Sequence, residues 1–472
     1  MSSNLLQILT QNEREKIHGT GIRILNEVGV RVLCPSVFNR LLDAGATLGG
    51  ADVARFPEAF VREHLSKCPK SFTVKDRNNK TTEVKSGGVP LFYTSNATHY
   101  MRGRSKKAAL IGENEFIEFI RVVDKLENVN GAVGTGIKEY PPHARDFAGF
   151  RLMAAHSAKH LRPCIYTSAG AEAILEMADV ILDGKNLREN MFFTLGYSIV
   201  SPLTWSKTAL ELFSKTGGLG IPMMINSEPM AGGTSPVTLA GSLALADAEI
   251  LSGILINQVL EPGRPCIYNA GFAHVLDMMT AIVLTGAPEN ALLQAAGAEM
   301  AEFHGLPSAS WALSDAPMLD AQSAYEKMMT MYAHTLKNIN MIWGIGNIET
   351  SKTISPEAAY IDNELIGNCR RFNKGIKVDE EHLAYNLIKE LGFNGKYLET
   401  DHTFEYYRKE IRTSHLPNRY ARNIWEEKGS KSIEEKAEEK VNEIINSKTE
   451  YYLSGAQMEK LLEIEKKRME KI

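Results

Sequence analysis

A chain of 472 residues that is 44% hydrophobic and 23% charged has the apolar content of a globular protein with a large core, which excludes a disordered or fibrous class. Its formal net charge of -4 argues against a nucleic-acid partner, because a duplex binder presents a basic face.

The N-terminal stretch MSSNLLQILTQNEREK lacks a basic segment followed by a long apolar run, and no run of about 18 apolar residues stands out. No signal peptide and no membrane span are therefore expected, and the location is expected to be cytoplasmic. Thr10 and Glu13 have the spacing of a capping box, opening a helix through Ile17, Ile24, Leu25 and Val28. Short helical patterns follow at 36–43 and 57–67. The alternation in SFTVKD and TTEV then predicts a hairpin. These elements make residues 1–88 a small α+β extension.

From residue 89 to 378 the pattern is regular. Eight short apolar runs recur at 89–97, 130–137, 163–169, 191–200, 221–228, 265–272, 308–315 and 340–347. Each is rich in aromatic or branched residues and too short for a helix. Between and after them, apolar residues at every third or fourth position predict helices over 113–126, 144–160, 171–182, 206–216, 238–260, 289–304, 320–337 and 356–371. Ser235-Pro236 and Ser355-Pro356 each set a cap residue before a proline suited to the first helical position. Strict alternation with uniformly apolar strands implies a parallel sheet covered by helices. Eight units close naturally into a (β/α)8 TIM barrel. A doubly wound open sheet is the alternative, but no strand run opens a complete G-x-G-x-x-G turn, so a dinucleotide fold has no specific support. Residues 379–472 are charged and helical. The stretches 431–446 and 455–472 are amphipathic, with Glu/Lys pairs at helical spacing, and are expected to pack on the barrel or on a second subunit of a homo-oligomer.

Barrel enzymes keep their working residues at the C-terminal strand ends. Here these are Tyr93 and Asn96, Lys138 to Tyr140, Ser168, then Tyr197, Ser198 and Trp205, Asn226 to Glu228, Asn269 and Phe272, Trp311 and Asp315, and Trp343, Asn347 and Glu349. The set is rich in aromatics and amides. It lacks the convergent histidines of a metal hydrolase and the strand lysine of a Schiff-base lyase, so no bound metal is expected. Five scattered cysteines with no CxxC pair read as reduced, structural thiols. Glu228 and Asp315 can serve as a carboxylate pair, as in a glycosidase, or complement a bound cation. Aromatic faces attract a quaternary ammonium, so Tyr93, Tyr197, Trp205, Phe272, Trp311 and Trp343 are candidate cage residues. Asn226, Asn269 and Gln322 are candidate holders of a betaine carboxylate. The loop carrying Gly232, Gly233, Thr234 and Ser235 leads into a helix start, a geometry that suits an anion or a polar ligand tail, or simply connects a strand to a capped helix.

Three longer stretches, GGTSPVTLAGSLALADAEILSGILINQ (232–258), DAQSAYEKMMTM (320–331) and HTFEYYRKE (402–410), resemble the trimethylamine methyltransferase (MttB) family, over most of the chain to about Gly429. Founding members of that family use pyrrolysine. This sequence shows none, and so is similar to the branch without it, whose members demethylate quaternary amines such as glycine betaine, proline betaine or carnitine. The resemblance implies methyl transfer to the Co(I) of a corrinoid (cobalamin-type cofactor) on a separate cognate protein, with no cofactor held permanently. It also implies that Gly232 to Ser235 contact the corrinoid or its carrier, and that trimethylamine is not the substrate. A hydrolase using Glu228 and Asp315, or a non-catalytic betaine-binding module, are the alternatives.

Overall fold

A computed structural model describes residues 6–95, 99–102, 106–271 and 274–470. Eight short strands carry the architecture: β1 (Leu91–Thr94), β2 (Gly131–Val133), β3 (His160–Arg162), β4 (Leu195–Ser198), β5 (Met223–Asn226), β6 (Cys266–Asn269), β7 (Ala309–Trp311) and β8 (Met341–Ile345). All their pairings are parallel, β1 with β2, β2 with β3, β4 with β5, β5 with β6, β7 with β8, and β8 with β1. Parallel bridges Leu161↔Phe193 and Tyr268↔Ser308 join β3 to β4 and β6 to β7, completing the circuit of a (β/α)8 barrel. A closed circuit leaves no strand edge unpaired.

Each strand is followed by a covering helix: α1 (Glu113–Lys125), α2 (Arg145–His156), α3 (Ser168–Leu182), α4 (Lys207–Lys215), α5 (Leu239–Leu260), α6 (Pro288–Phe303), α7 (Ala321–Leu336) and α8 (Pro356–Asn373). Local chemistry sets their starts. The side chains of Thr167, Ser206 and Ser355 accept from the backbone N–H three residues on, and Pro356 occupies the first turn of α8. The expected start of α5 at Ser235-Pro236 is displaced, and the helix begins after Thr238. Ser235 and Pro236 instead cap a side chain within it, since Ser235 Oγ lies 2.6 Å from Ser242 Oγ, which donates to Pro236 O. The third strand also differs from expectation. It is His160–Arg162 rather than 163–169, and the apolar residues that follow it form a cavity wall.

Among the described residues, α5 alone is long and apolar enough to cross a membrane. Yet 83% of its apolar window is buried inside the protein, which is what the central helix of a barrel wall requires. It packs against α4, α6 and the N-terminal helix Gln11–Arg23, whose Thr10/Glu13 capping box is formed.

Besides its helices on α5, the N-terminal extension meets the barrel through two sheet elements. Strand Val30–Val32 pairs in parallel with Thr204–Trp205, which follows β4. The hairpin Ser71–Lys75/Thr81–Lys85 closes the lower, N-terminal mouth. Val74 and Val84 are buried in one cluster with Leu91, Met341 and Ala309 of the barrel interior. Lys75 N donates to Met191 O, and Asn340 Nδ2 donates to Lys85 O. At the other end of the chain, helix Ile433–Ile445 packs on α1 and α8, and helix Gly455–Glu470 on α2 and α3. The second is pinned by a buried ion pair of Arg151 and Glu465 at 2.8 Å.

The lower closure has a measurable weight. Val74→Asp puts a carboxylate with no partner among Leu91, Met341 and Val84, and is expected to cost about 3 kcal/mol or more. Urea unfolding should show a clearly lowered midpoint. An unchanged midpoint would mean that the hairpin does not seal the barrel.

Candidate active site

Inward-facing residues alternate along each strand, and in this barrel they form a layer of unusually large side chains. Tyr93 of β1, Trp311 of β7 and Trp343 of β8 are buried together with Val133, Met224 and Ile267. The Tyr93 and Trp343 rings stand 4.3 Å apart. Set among them is a charge, for the Arg162 guanidinium lies 4.7 Å over the Trp343 ring. Two glycines make the room. A Cβ at Gly196 of β4 would collide with the Arg162 guanidinium, and one at Gly131 of β2 with the Tyr93 ring. Arg162 Nε and the Tyr93 hydroxyl are buried and have no hydrogen-bond partner in the protein.

Above this layer, at the C-terminal strand ends, a cavity of about 780 Å³ opens, a size typical of small-molecule sites. Its floor is Arg162, Cys164, Asn226 and Trp311, and its walls include Tyr166, Tyr197, Ser198, Glu228, His274 and Lys352. A directed chain of hydrogen bonds runs along one side. Asn269 Nδ2 donates to Asn226 Oδ1 (2.9 Å), Asn226 Nδ2 to Ser198 Oγ (3.4 Å), and Ser198 Oγ to Glu228 Oε1 (2.9 Å). Burial pushes the Glu228 carboxyl up to about 7, against the pull of the Ser198 bond and of Arg162. Burial also lowers the Arg162 guanidinium from its usual value, with Glu228 among the groups opposing that shift. His274 is held neutral by burial, which pushes it down to about 4 despite Asp315 and Asn290. The cavity therefore offers one carboxylate, one buried guanidinium and aromatic faces between them.

The expected residues divide into three groups. Tyr197, Asn226, Glu228 and Trp311 line the cavity. Tyr93, Trp343 and Asn269 lie in the layer behind it, with Asn269 ordering Asn226. The rest stand elsewhere. Trp205 is outside the barrel, where its Nε1 donates to Ser252 Oγ and its ring packs on Phe213, because the strand it belongs to pairs with Val30–Val32. Gln322 donates to Glu326 on the first turns of α7. Asp315 accepts from Thr285 N, Thr285 Oγ1, Gly286 N and Thr350 Oγ1. It clamps the loops after β6 and β8 to its own, so it is no acid–base partner for Glu228. The Gly232–Ser235 turn uses its own amides, since Gly233, Thr234 and Ser235 all donate to Met230 O and Gly232 donates to Ser235 O. No fan of free N–H groups remains there for an anion. Phe272 and Asn96 lie outside the described residues. The sequence reading missed Arg162, Tyr166 and Lys352.

Known proteins match this chain over nearly its whole length. The family described as trimethylamine methyltransferase (MTTB) covers residues 2–472. A glycine betaine methyltransferase of Desulfitobacterium hafniense (strain Y51) is 30% identical over 428 residues, 89% of this chain and 88% of that protein. A trimethylamine methyltransferase MttB of Methanosarcina barkeri (strain Fusaro / DSM 804) is 29% identical over 462 residues, 94% and 91% of the two chains. The crystal structure of the Methanosarcina barkeri monomethylamine methyltransferase (MtmB) aligns with a TM-score of 0.53 at 12% identity, over 93% of this chain and 88% of that one. That last likeness is one of fold.

The raised carboxyl gives the cavity a pH signature. Below about 7, Glu228 is neutral and offers a cation nothing; above it, the carboxylate is charged. Affinity for a quaternary ammonium ligand, followed by calorimetry, should fall about tenfold from pH 8 to pH 6. Glu228→Gln should bind more weakly at pH 8 and lose that dependence. A wild-type profile flat across this range would remove Glu228 from the site.

Proposed function

Because this chain belongs to the trimethylamine methyltransferase family, and is thereby a methyltransferase acting on methylated amines, we propose that it demethylates a small betaine, glycine betaine foremost, and passes the methyl group to the cobalt of a corrinoid on a separate protein. Proline betaine and carnitine, which share the zwitterionic plan, are the neighbouring substrates.

The observation that carries this reading is Arg162. A bare methylammonium ion gains nothing from a buried guanidinium at the cavity floor and is repelled by it. A betaine carries a carboxylate as well, and a buried guanidinium suits a carboxylate through charge and paired N–H groups. With the carboxylate on Arg162, the quaternary nitrogen faces Glu228 and the rings of Tyr166, Tyr197 and Trp311, which favour a cation. Arg162 holds the end of the substrate that does not react, so its binding energy goes into orientation.

The corrinoid, a second substrate on its own carrier, supplies the electron pair that attacks the methyl carbon. The C–N bond breaks, the pair stays on nitrogen, and a neutral tertiary amine leaves without needing a proton. The residues of this chain therefore need only position and desolvate the cation. One carboxylate beside the rings of Tyr166, Tyr197 and Trp311 matches that demand, whereas hydrolysis by a carboxylate pair would need a second free acid. The clamped state of Asp315 also speaks against a carboxylate pair.

A rim of exposed apolar side chains surrounds the C-terminal face, among them Val200, Val237, Met278, Met279, Ile282 and Met318. This rim supports docking of the corrinoid carrier there. Five free, buried cysteines suit a reducing, cytoplasmic setting. Ile376, Phe393, Leu398 and Phe404 are almost wholly exposed along one segment beyond α8, and they support self-association through it.

Incubation with a reduced corrinoid protein and glycine betaine should give dimethylglycine and the absorbance change of a methylated corrinoid. Arg162→Gln should raise KM for glycine betaine about 30-fold or more and leave choline, which has no carboxylate, unaffected. Silence with every betaine, or choline and trimethylamine turned over as well as betaines, would overturn the proposal. Light scattering should give a mass at a multiple of 52.3 kDa, reduced by the double change Leu398→Glu with Phe404→Glu. A wild-type monomer at micromolar concentration would rule out self-association.

A further inference from the structure

Outside the barrel wall, away from the cavity, three residues from distant parts of the chain converge. His18 lies on the N-terminal helix Gln11–Arg23, Asp247 in the middle of α5, and His304 at the end of α6. One potential ligand atom from each lies within 4.8 Å of the other two. Asp247 is fully buried, and His304 nearly so. Its Oδ1 is well provided for, meeting His304 Nε2 at 2.9 Å and accepting from the Tyr268 hydroxyl at 2.8 Å. Its Oδ2 is different. That oxygen is buried and accepts no hydrogen bond, and His18 Nδ1, its ion-pair partner at 3.5 Å, is likewise buried and makes no hydrogen bond. The His304 pair accounts for the first oxygen, whereas the second meets His18 only at the longer ion-pair distance, with no hydrogen bond between them. Buried polar atoms left in this way are costly and rare.

We propose that His18, Asp247 and His304 form a binding site for a divalent metal ion of the zinc type, which clips the N-terminal helix to α5 and to the end of α6. Two imidazoles and a carboxylate are a usual zinc donor set, with bonds of about 2.0–2.2 Å that set tetrahedral ligands roughly 3.4 Å apart. The 3.5 Å separation of His18 Nδ1 and Asp247 Oδ2 has that spacing. Gly21, one turn along from His18, leaves room for the carboxylate, since a Cβ there would stand 2.8 Å from Oδ2. A surface cavity of about 270 Å³, lined by His18, Glu58, Arg62 and Lys70, borders the cluster at His18. The site shares no residue with the substrate cavity, so it is independent of the reaction proposed above.

The full-length protein, stripped with a chelator and titrated with zinc chloride alone, should take up one zinc per chain and unfold at a higher temperature. Cobalt(II) in place of zinc should give the intense visible bands of a tetrahedral N/O site. Asp247→Asn removes the anionic ligand but also perturbs a buried network, so the decisive variant is His18→Gln, on a partly exposed helix face. It should fold as the wild type does and bind zinc at least a hundredfold more weakly. No stoichiometric zinc uptake by the wild type, or undiminished uptake by His18→Gln, would overturn the proposal.

Discussion

A guanidinium sunk into a ring of aromatic and aliphatic side chains has to be compensated, and much of this barrel's interior is arranged around that requirement. Arg162 sits over the face of Trp343. Gly196 yields the space its head group fills, and Glu228 lies across the cavity with its carboxyl near neutrality. The compensation within the protein is partial, because Nε keeps no hydrogen bond. A buried cation whose partners are a quadrupole and a half-protonated acid is poised for an anionic ligand. The same arrangement would be a defect in a structural core; at the top of a barrel it is what the proposed betaine specificity rests on.

The fold was largely legible in the sequence because alternation of strand and helix is a repeated signal. Eight apolar runs and eight periodic stretches left few architectures open, and helix ends fell close to their caps. The one displaced strand shows what limits such reading. His160-Leu161-Arg162 looks like the polar tail of a helix, while the residues from Pro163 onward look like a strand. In the structure those apolar residues line a cavity, and the polar pair points into the barrel, where tertiary contacts and not local hydrophobicity decide the register. The misplacement also hid Arg162, on which the proposed function rests.

The site was legible only in kind. A crowd of aromatics and amides at strand ends stands out in the chain, yet a strand end says nothing of which face a side chain takes. Trp205 belongs to a strand borrowed by the N-terminal sheet, and its indole never faces the cavity. Asp315 and the Gly232–Ser235 turn looked chemically available in sequence because their partners are distant or hidden in the backbone. Thr285 and Thr350 come from other loops, and the amides of the turn fold back on Met230. Groups of this kind can be judged only once every donor and acceptor has been assigned.

The pairing of Val30–Val32 with Thr204–Trp205 bears on how the chain reaches this structure. A nascent polypeptide grows from its N-terminus at about 5–20 residues per second, so the extension emerges long before the strand that completes its sheet. Until half of the barrel has followed, Val30 and Val32 have an open edge and an exposed apolar face. The extension is therefore a latch that is made early and fastened late.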